Sequence, residues 1–231
     1  MILREFTLPA TDPTELRFLL RQGPSLWTYN AKSKRYHNTQ DGRFIGLTQM
    51  AALRSEYIAH EKRAAADLAS DLFSGKINLT EWQVGMREVI RRNFVTEYEL
   101  AKGGRKRMTQ RDWGILGQRI RGQYEYLQGF AKDLQRGRYT EAQAGVVARR
   151  AGLYVDAANV AFEQGKAEGY QLVLPAHPGD GTSECLSSCR CYWQIKETEI
   201  EWLCYWRLRK SEHCPTCLWR SKKWRPLRIG K

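Results

Sequence analysis

All six cysteines of this 231-residue chain lie after residue 184, and their spacing restricts what the C-terminal stretch can become. They read Cys185-x3-Cys189-x-Cys191, then Cys204, then Cys214-x2-Cys217. Between the outer clusters stand two aromatic runs, Tyr192-Trp193-Gln194-Ile195 and Trp202-Leu203-Cys204-Tyr205-Trp206-Arg207-Leu208, split by the charged Lys196-Glu197-Thr198-Glu199. Runs of this kind pair as an antiparallel hairpin. A hairpin brings its open ends together, so thiols just before the first strand and just after the second meet at the spacing a tetrahedral thiolate site needs.

The expected ligands are Cys214 and Cys217 with two of Cys185, Cys189 and Cys191. Cys185 and Cys189 are the first pair, Cys191 the alternative, and His177 and His213 the reserves. The expected metal is a structural Zn(2+). The Cys-Pro-x-Cys turn favours it, because two thiolates on one tight turn reach the same ion while backbone N–H groups face the sulfurs. Disulfides are the competing use of an even cysteine count. The opening Met-Ile-Leu-Arg-Glu-Phe lacks the apolar core of a signal peptide, which points to synthesis in a reducing cytosol and therefore to metal. Cys204, between Trp202 and Trp206 on a strand, reads as core.

The net charge of +13 and pI of about 9.6 call for an acidic partner surface or nucleic acid nearby. The charge gathers in the tail. Arg207, Arg209, Lys210, Arg220, Lys222, Lys223 and Arg225 form a candidate nucleic-acid-binding set, interleaved with Trp206, Trp219 and Trp224. Those tryptophans are expected to pack on their own hairpin, since so small a module has little other core. No apolar run approaches the roughly 20 residues of a membrane span, so no membrane partner is expected.

Three parts follow: an N-terminal arm and hairpin over 1–46, a helical body over 47–170, and a Cys-rich zinc-binding β module with a basic tail over 171–231. Within the arm, Asp12-Pro13-Thr14-Glu15 starts a short helix that stops at Gly23-Pro24, and Asp41-Gly42 marks a hairpin turn. Residues 1–46 have too little apolar periodicity to form a core alone, so they must lie on something. The body holds four helical stretches, capped at Thr48, at Thr80 with Gln83, at Thr109 and at Thr140, and stopped at Gly75, Gly103-Gly104, Gly137 and Gly165 or Gly169. Long helices on short loops make the expected fold mainly α, an elongated antiparallel bundle carrying a small C-terminal zinc-bound β-hairpin module. Gly114, Gly117, Gly122 and Gly129 in the third stretch are expected where another helix or subunit comes close.

Neither a Gly-rich phosphate loop, nor Gly-x-Ser-x-Gly, nor His-Glu-x-x-His occurs, and the four histidines make no catalytic constellation. The chain reads as no enzyme.

Leu174-Pro-Ala-His177-Pro leading into Cys185-Leu-Ser-Ser-Cys189-Arg-Cys191, with His213-Cys214-Pro-Thr-Cys217 and Trp224-Arg-Pro-Leu beyond, resembles the cysteine module of Mu F-like phage head morphogenesis (minor head) proteins. The elements stand in exchanged order, with Cys-x-x-Cys last instead of first. Arg35-Tyr36-His37-Asn38 and Asp41-Gly42-Arg43-Phe44-Ile45 are similar to a segment near the start of some phage minor head proteins. Ala101–Gly104, Met108–Gly114 and the stretch 138–154 extend the likeness over most of the chain. The resemblance implies a structural virion protein of a tailed-bacteriophage head. It would be assembled in the bacterial host cytoplasm, bind major capsid or portal protein, self-associate within the head and lie near packaged DNA. The alternative reading is a non-viral zinc-finger-type nucleic-acid-binding protein.

Overall fold

A computed structural model describes residues 27–30, 33–39 and 41–231. The short helix expected between Asp12 and Gly23 lies outside the described residues. Strands β1 (Trp27–Asn30), β2 (Arg35–Asn38) and β3 (Phe44–Ile45) form an antiparallel sheet. The expected turn stands between β2 and β3, with Gly42 at φ +74 and the Asp41 carboxylate accepting from the Arg43 backbone N–H at 3.0 Å. This sheet packs on the chain's own helices: the Tyr36 hydroxyl donates to the Leu100 carbonyl at 3.0 Å, and Tyr29 N–H to Gly103 O at 3.0 Å. Gly104, at φ +110, allows that approach, because a Cβ there would stand 2.4 Å from Trp27 O.

Most of the regular structure is helical. Helices α1 (Leu47–Phe73), α2 (Leu79–Lys102), α3 (Gln110–Gln135), α4 (Ala144–Asp156) and α5 (Asn159–Gly169) share one core, with Trp82, Met86, Ile90, Phe94 and Tyr98 of α2 at its centre. Cross-pairs give the directions. Arg54 meets Glu97 while Glu61 meets Arg92, so α1 and α2 run antiparallel; Tyr98 meets Asp112 while Tyr124 meets the Arg87 carbonyl, so α2 and α3 do too. No described helix is long and apolar enough to cross a membrane.

The caps differ in part from expectation. Gly46 N–H donates to the Gln49 side chain at the start of α1, in place of a Thr48 cap. At α2, Asn78 and Glu81 bond reciprocally at 3.0 and 2.8 Å, displacing the overlapping Thr80–Gln83 box. A charged Glu at the third position suits the positive helix N-terminus better than Gln. Thr109 caps α3 as expected, with Asp112 returning the bond.

The fourth stretch is two helices. Val155 O accepts from the side-chain amide of Asn93 at 2.8 Å, where a continuing helix would offer it to Asn159 N–H. The first helix, α4, ends at Asp156 and α5 begins at Asn159, with Ala157–Ala158 between them. The glycine expectation is also narrowed. A Cβ at Gly114, Gly117, Gly122 or Gly129 meets nothing within 4 Å, so among the described residues no helix comes close there, which leaves the approach of a second subunit as the remaining form of that expectation. The close approach is at Gly165, where a Cβ would stand 2.6 Å from Tyr98 O.

The C-terminal part adds β4 (Tyr192–Glu197) and β5 (Glu201–Arg207), paired antiparallel with Trp193 opposite Trp206, as the sequence predicts. It also holds two unforeseen elements. Helix α6 (Pro215–Lys223) follows Cys214, and β6 (Leu227–Gly230) joins β5 as a third strand. Trp193, Trp206 and Trp224 pack ring on ring with centroids 5.2 to 5.6 Å apart, together with Cys204, Leu172 and Leu174.

The body also buries charge. Asp112 is 1% exposed, and it accepts from Lys102 Nζ at 2.6 and 2.7 Å, from the Tyr98 hydroxyl at 2.6 Å and from Thr109 N–H at 2.6 Å. Burial opposes its ionisation, but the donors of Lys102, Thr109 and Tyr98 outweigh this and hold its pKa at about 2. A carboxylate whose pKa is depressed on folding stabilises above its unfolded pKa, and the gain is lost as pH falls through the folded value. Asp112→Asn should therefore cost about 2 kcal/mol in urea unfolding at pH 7. The difference from wild type should shrink progressively between about pH 4 and pH 2; a gap that stays constant over that range would contradict the assignment.

Candidate metal centre

Local structure delivers the thiols from three directions. Cys185 opens a single 3-10 turn, Leu186–Ser188, in which Leu186 takes φ +46. The chain then passes through Cys189 and Cys191 into β4. On the other side Cys214, in extended conformation, is the N-cap of α6 with Pro215 at the first helical position, so the Cys-Pro-x-Cys turn is the first turn of a helix. This places Cys214 and Cys217 at the positive end of the helix, where anionic sulfur is favoured. The Glu184 carboxylate steadies that helix start by accepting from the Thr216 hydroxyl at 2.9 Å.

The two clusters meet. The Sγ atoms of Cys185, Cys189 and Cys217 all lie within 4.8 Å of one another. Cys185 is 3.5 Å from Cys214 and 3.9 Å from Cys217, and Cys189 is 3.6 Å from Cys217. Sulfurs on a tetrahedral ion with bonds of about 2.3 Å stand about 3.8 Å apart. Cys185, Cys189 and Cys217 of the first-choice set are thus together at ligand spacing, with Cys214 beside Cys185, and the cluster could hold a metal ion. All six cysteines are free thiols, and Cys204 is fully buried in the indole core, as expected of it.

The alternatives fall on both sides of the cluster. Cys191, 1% exposed, has its Sγ 3.7 Å from Nδ1 of His213, so this reserve histidine joins the thiols. His177 sits on the loop that leads into the module, with its backbone N–H bonded to Asp180 at 2.7 Å. Its ring is not among the grouped donors.

Crowded thiols hold negative charge unevenly. The Cys189 pKa is drawn down to about 5, first by the hydrogen bond from the Cys191 thiol, with Cys217 and Cys185 adding to it and burial opposing. Cys185 is pushed up to about 11, first by burial; Cys217 is raised first by burial, and Cys191 first by its bond to Cys189. One thiolate is tolerated and the next is resisted. A cation bound among them would reverse that resistance, since coordinating thiols ionise outright.

The side chains that hold the cysteine segment in place were not legible in the sequence. Asn159, freed by the helix break, donates from Nδ2 to the carbonyls of Cys189 (3.3 Å) and Cys191 (3.5 Å), while its Oδ1 accepts from Arg54 at 3.1 Å. Glu163, 1% exposed on α5, takes Trp193 N–H at 2.7 Å and Lys166 at 2.8 Å, and Lys166 also donates to Trp193 O at 2.6 Å. These bonds join the start of β4 to the helical core. In the sequence Glu163 and Lys166 look like an ordinary i,i+3 surface pair.

The candidate nucleic-acid set divides. Arg209, Lys210, Lys222, Lys223 and Arg225 are exposed. Arg207 is half-buried, with Nε bonded to Gln194 at 2.8 Å. Arg220 departs from the expectation: it is 6% exposed, donates to Thr182 Oγ1 at 2.8 Å and lies over Trp206 and Trp224, so its charge serves the core. Trp219 is 52% exposed, with Lys223 Nζ 4.4 Å from its ring centroid.

Replacing Asn159 with Ala should weaken Co(2+) binding about 10-fold, as loss of a supporting bond does elsewhere. Cys204→Ser should leave the visible thiolate–cobalt absorption unchanged, because that sulfur lies outside the cluster. Equal loss in both variants would mean that only general destabilisation was being read. Compared with protein-family models, curated proteins and solved structures, the chain matches none of them.

Proposed function

We propose that the chain is a structural protein of a tailed-bacteriophage head, a minor capsid or head morphogenesis protein whose C-terminal module is stapled by Zn(2+). The single observation that carries this reading is the meeting of two sequence-distant cysteine clusters behind the Leu174–Pro178 loop. These are the segments in which the chain resembles Mu F-like head proteins. The loop is built into the module core, since Ala176 O accepts from Trp193 Nε1 at 2.8 Å. Zinc is the metal of choice because soft thiolates in a buried tetrahedral set favour it, and its role is to supply the folding free energy that so small a module lacks.

The partners proposed are capsid or portal protein, with self-association within the assembled head. Packaged DNA is the acidic neighbour to which Arg209, Lys210, Lys222, Lys223 and Arg225 respond. A second reading is a zinc-finger-type nucleic-acid-binding protein outside any virion. The observation favouring it is exposed Trp219 beside Lys223, an aromatic platform and a cation suited to an unpaired base.

The two readings separate by stoichiometry. Copurification with assembled heads at a fixed copy number supports the virion role, whereas tight, steeply salt-dependent binding of free DNA by the isolated chain supports the other. Chelation of zinc, or Cys217→Ser, should abolish the near-ultraviolet signal of the packed indoles while far-ultraviolet helicity largely persists. Purified protein without zinc would overturn the staple. Parallel loss of both signals would show that body and module fold as one unit.

A further inference from the structure

A cavity of about 410 Å³ opens where the N-terminal sheet, the ends of α2 and α5 and the β4–β5 hairpin meet, and no cysteine lines it. Its volume is that of a small-molecule site. The walls are aromatic. Tyr29 of β1 and Tyr36 of β2 have ring centroids 5.2 Å apart, and Tyr170, just after α5, stands 5.1 Å from Trp202 of β5, so a planar ring has surfaces on which to lie.

The charges in the cavity do not cancel. Four charged side chains line it, and three are paired: Lys102 with Asp112 at 2.6 Å, Lys166 with Glu163 at 2.8 Å, and Glu197 with Lys231 at 2.9 Å. Arg107 is the fourth. It is exposed, donates one N–H to Gly169 O at 3.4 Å and has no carboxylate partner among the described residues. One positive charge is therefore left uncompensated.

Hydrogen-bonding groups are also left over. The hydroxyls of Tyr29 and Tyr170 and the side-chain amide of Gln171 line the cavity with no hydrogen-bond partner among the described residues. Burial raises the pKa of both phenols, with the Glu197 charge adding to it, so they remain neutral donors. Gln171 takes φ +58 directly after the C-cap of α5, a left-handed position at which glycine is the unstrained residue. Strain of this kind is kept where a side chain has a use.

We propose that this cavity binds one unpaired nucleotide. A planar ring with polar edges suits the aromatic walls and the free hydroxyl and amide groups, and a single phosphodiester charge suits Arg107. A purely apolar ligand would leave those groups unanswered, and the net charge of +13 draws polyanions to the surface. The cavity includes neither the thiols nor the basic tail, so the inference stands or falls apart from the metal and from tail-bound DNA.

Titration calorimetry on the full-length protein tests this with the thymidine dinucleotide TpT, which carries one phosphodiester, and with thymidine, which carries none. TpT should bind saturably and more tightly. Arg107→Ala should weaken TpT about 10-fold and leave thymidine unchanged, whereas Tyr170→Ala should weaken both about 10-fold. Gln171→Gly relieves the left-handed strain, so it should raise the thermal midpoint and yet weaken TpT; a merely structural role would leave the affinity alone. An octathymidylate that binds more tightly than TpT and is weakened by the same substitutions supports the site as one for a strand, and equal affinity supports it as one for free nucleotides. Absence of TpT binding, or equal binding by wild type, Arg107→Ala and Gln171→Gly, overturns the site. Benzoate bound as tightly as TpT overturns the nucleotide as its ligand. If Tyr170→Ala fails to fold, the Arg107 and Gln171 variants decide.

Discussion

Sulfur converging at the open end of the β4–β5 hairpin is the interaction on which the C-terminal third depends. Without a cation, the thiols compete for charge: Cys189 ionises easily and its neighbours resist. With one bound, the loop before β4 and the first turn of α6 are tied to one point, and α6 and β6 are held against the hairpin. The indole cluster then has fixed walls. A module with so few apolar side chains is organised by its most polar groups.

The helical body is organised in a related way. Five buried carboxylates, Glu61, Glu97, Glu99, Asp112 and Glu163, each meet a cation, and Glu61, Glu97 and Asp112 do so across helix pairs. Such pairs add little net stability over well-packed apolar residues, but breaking one partner is costly because a buried charge is left alone. They fix which face of each helix meets which neighbour. Glu163 extends the same device to the β4 backbone, so the cysteine-rich module is hydrogen-bonded to the body rather than tethered by a loose linker.

Much of this was legible in the sequence, for reasons that differ by element. The hairpin follows from the two aromatic runs and the charged turn between them, and the meeting of the thiols from the hairpin, whereas its register comes only from the structure. The cap at Thr109 was readable, whereas Asn78–Glu81 and Thr80–Gln83 overlap and only the fold chooses between them. The break at Ala157–Ala158 was not readable, since its cause, Asn93, lies on another helix some sixty residues earlier. Arg220 looked like its basic neighbours, because spacing alone does not tell a solvent-facing cation from one laid over two indoles. The glycines of α3 face no described helix, and spacing alone does not say whether a bare helix face meets its own chain or a second copy.

Asn93 also has a geometric consequence. Its side-chain amide takes the Val155 carbonyl that an unbroken helix would offer to Asn159 N–H, so the end of α4 is held against α2. Asn159, released at that corner, then grips the carbonyls of the cysteine knuckle. Within the five residues from Val155 to Asn159 the chain is thus gripped twice, once by the apolar core through Asn93 and once by the thiol segment through the carbonyls of Cys189 and Cys191.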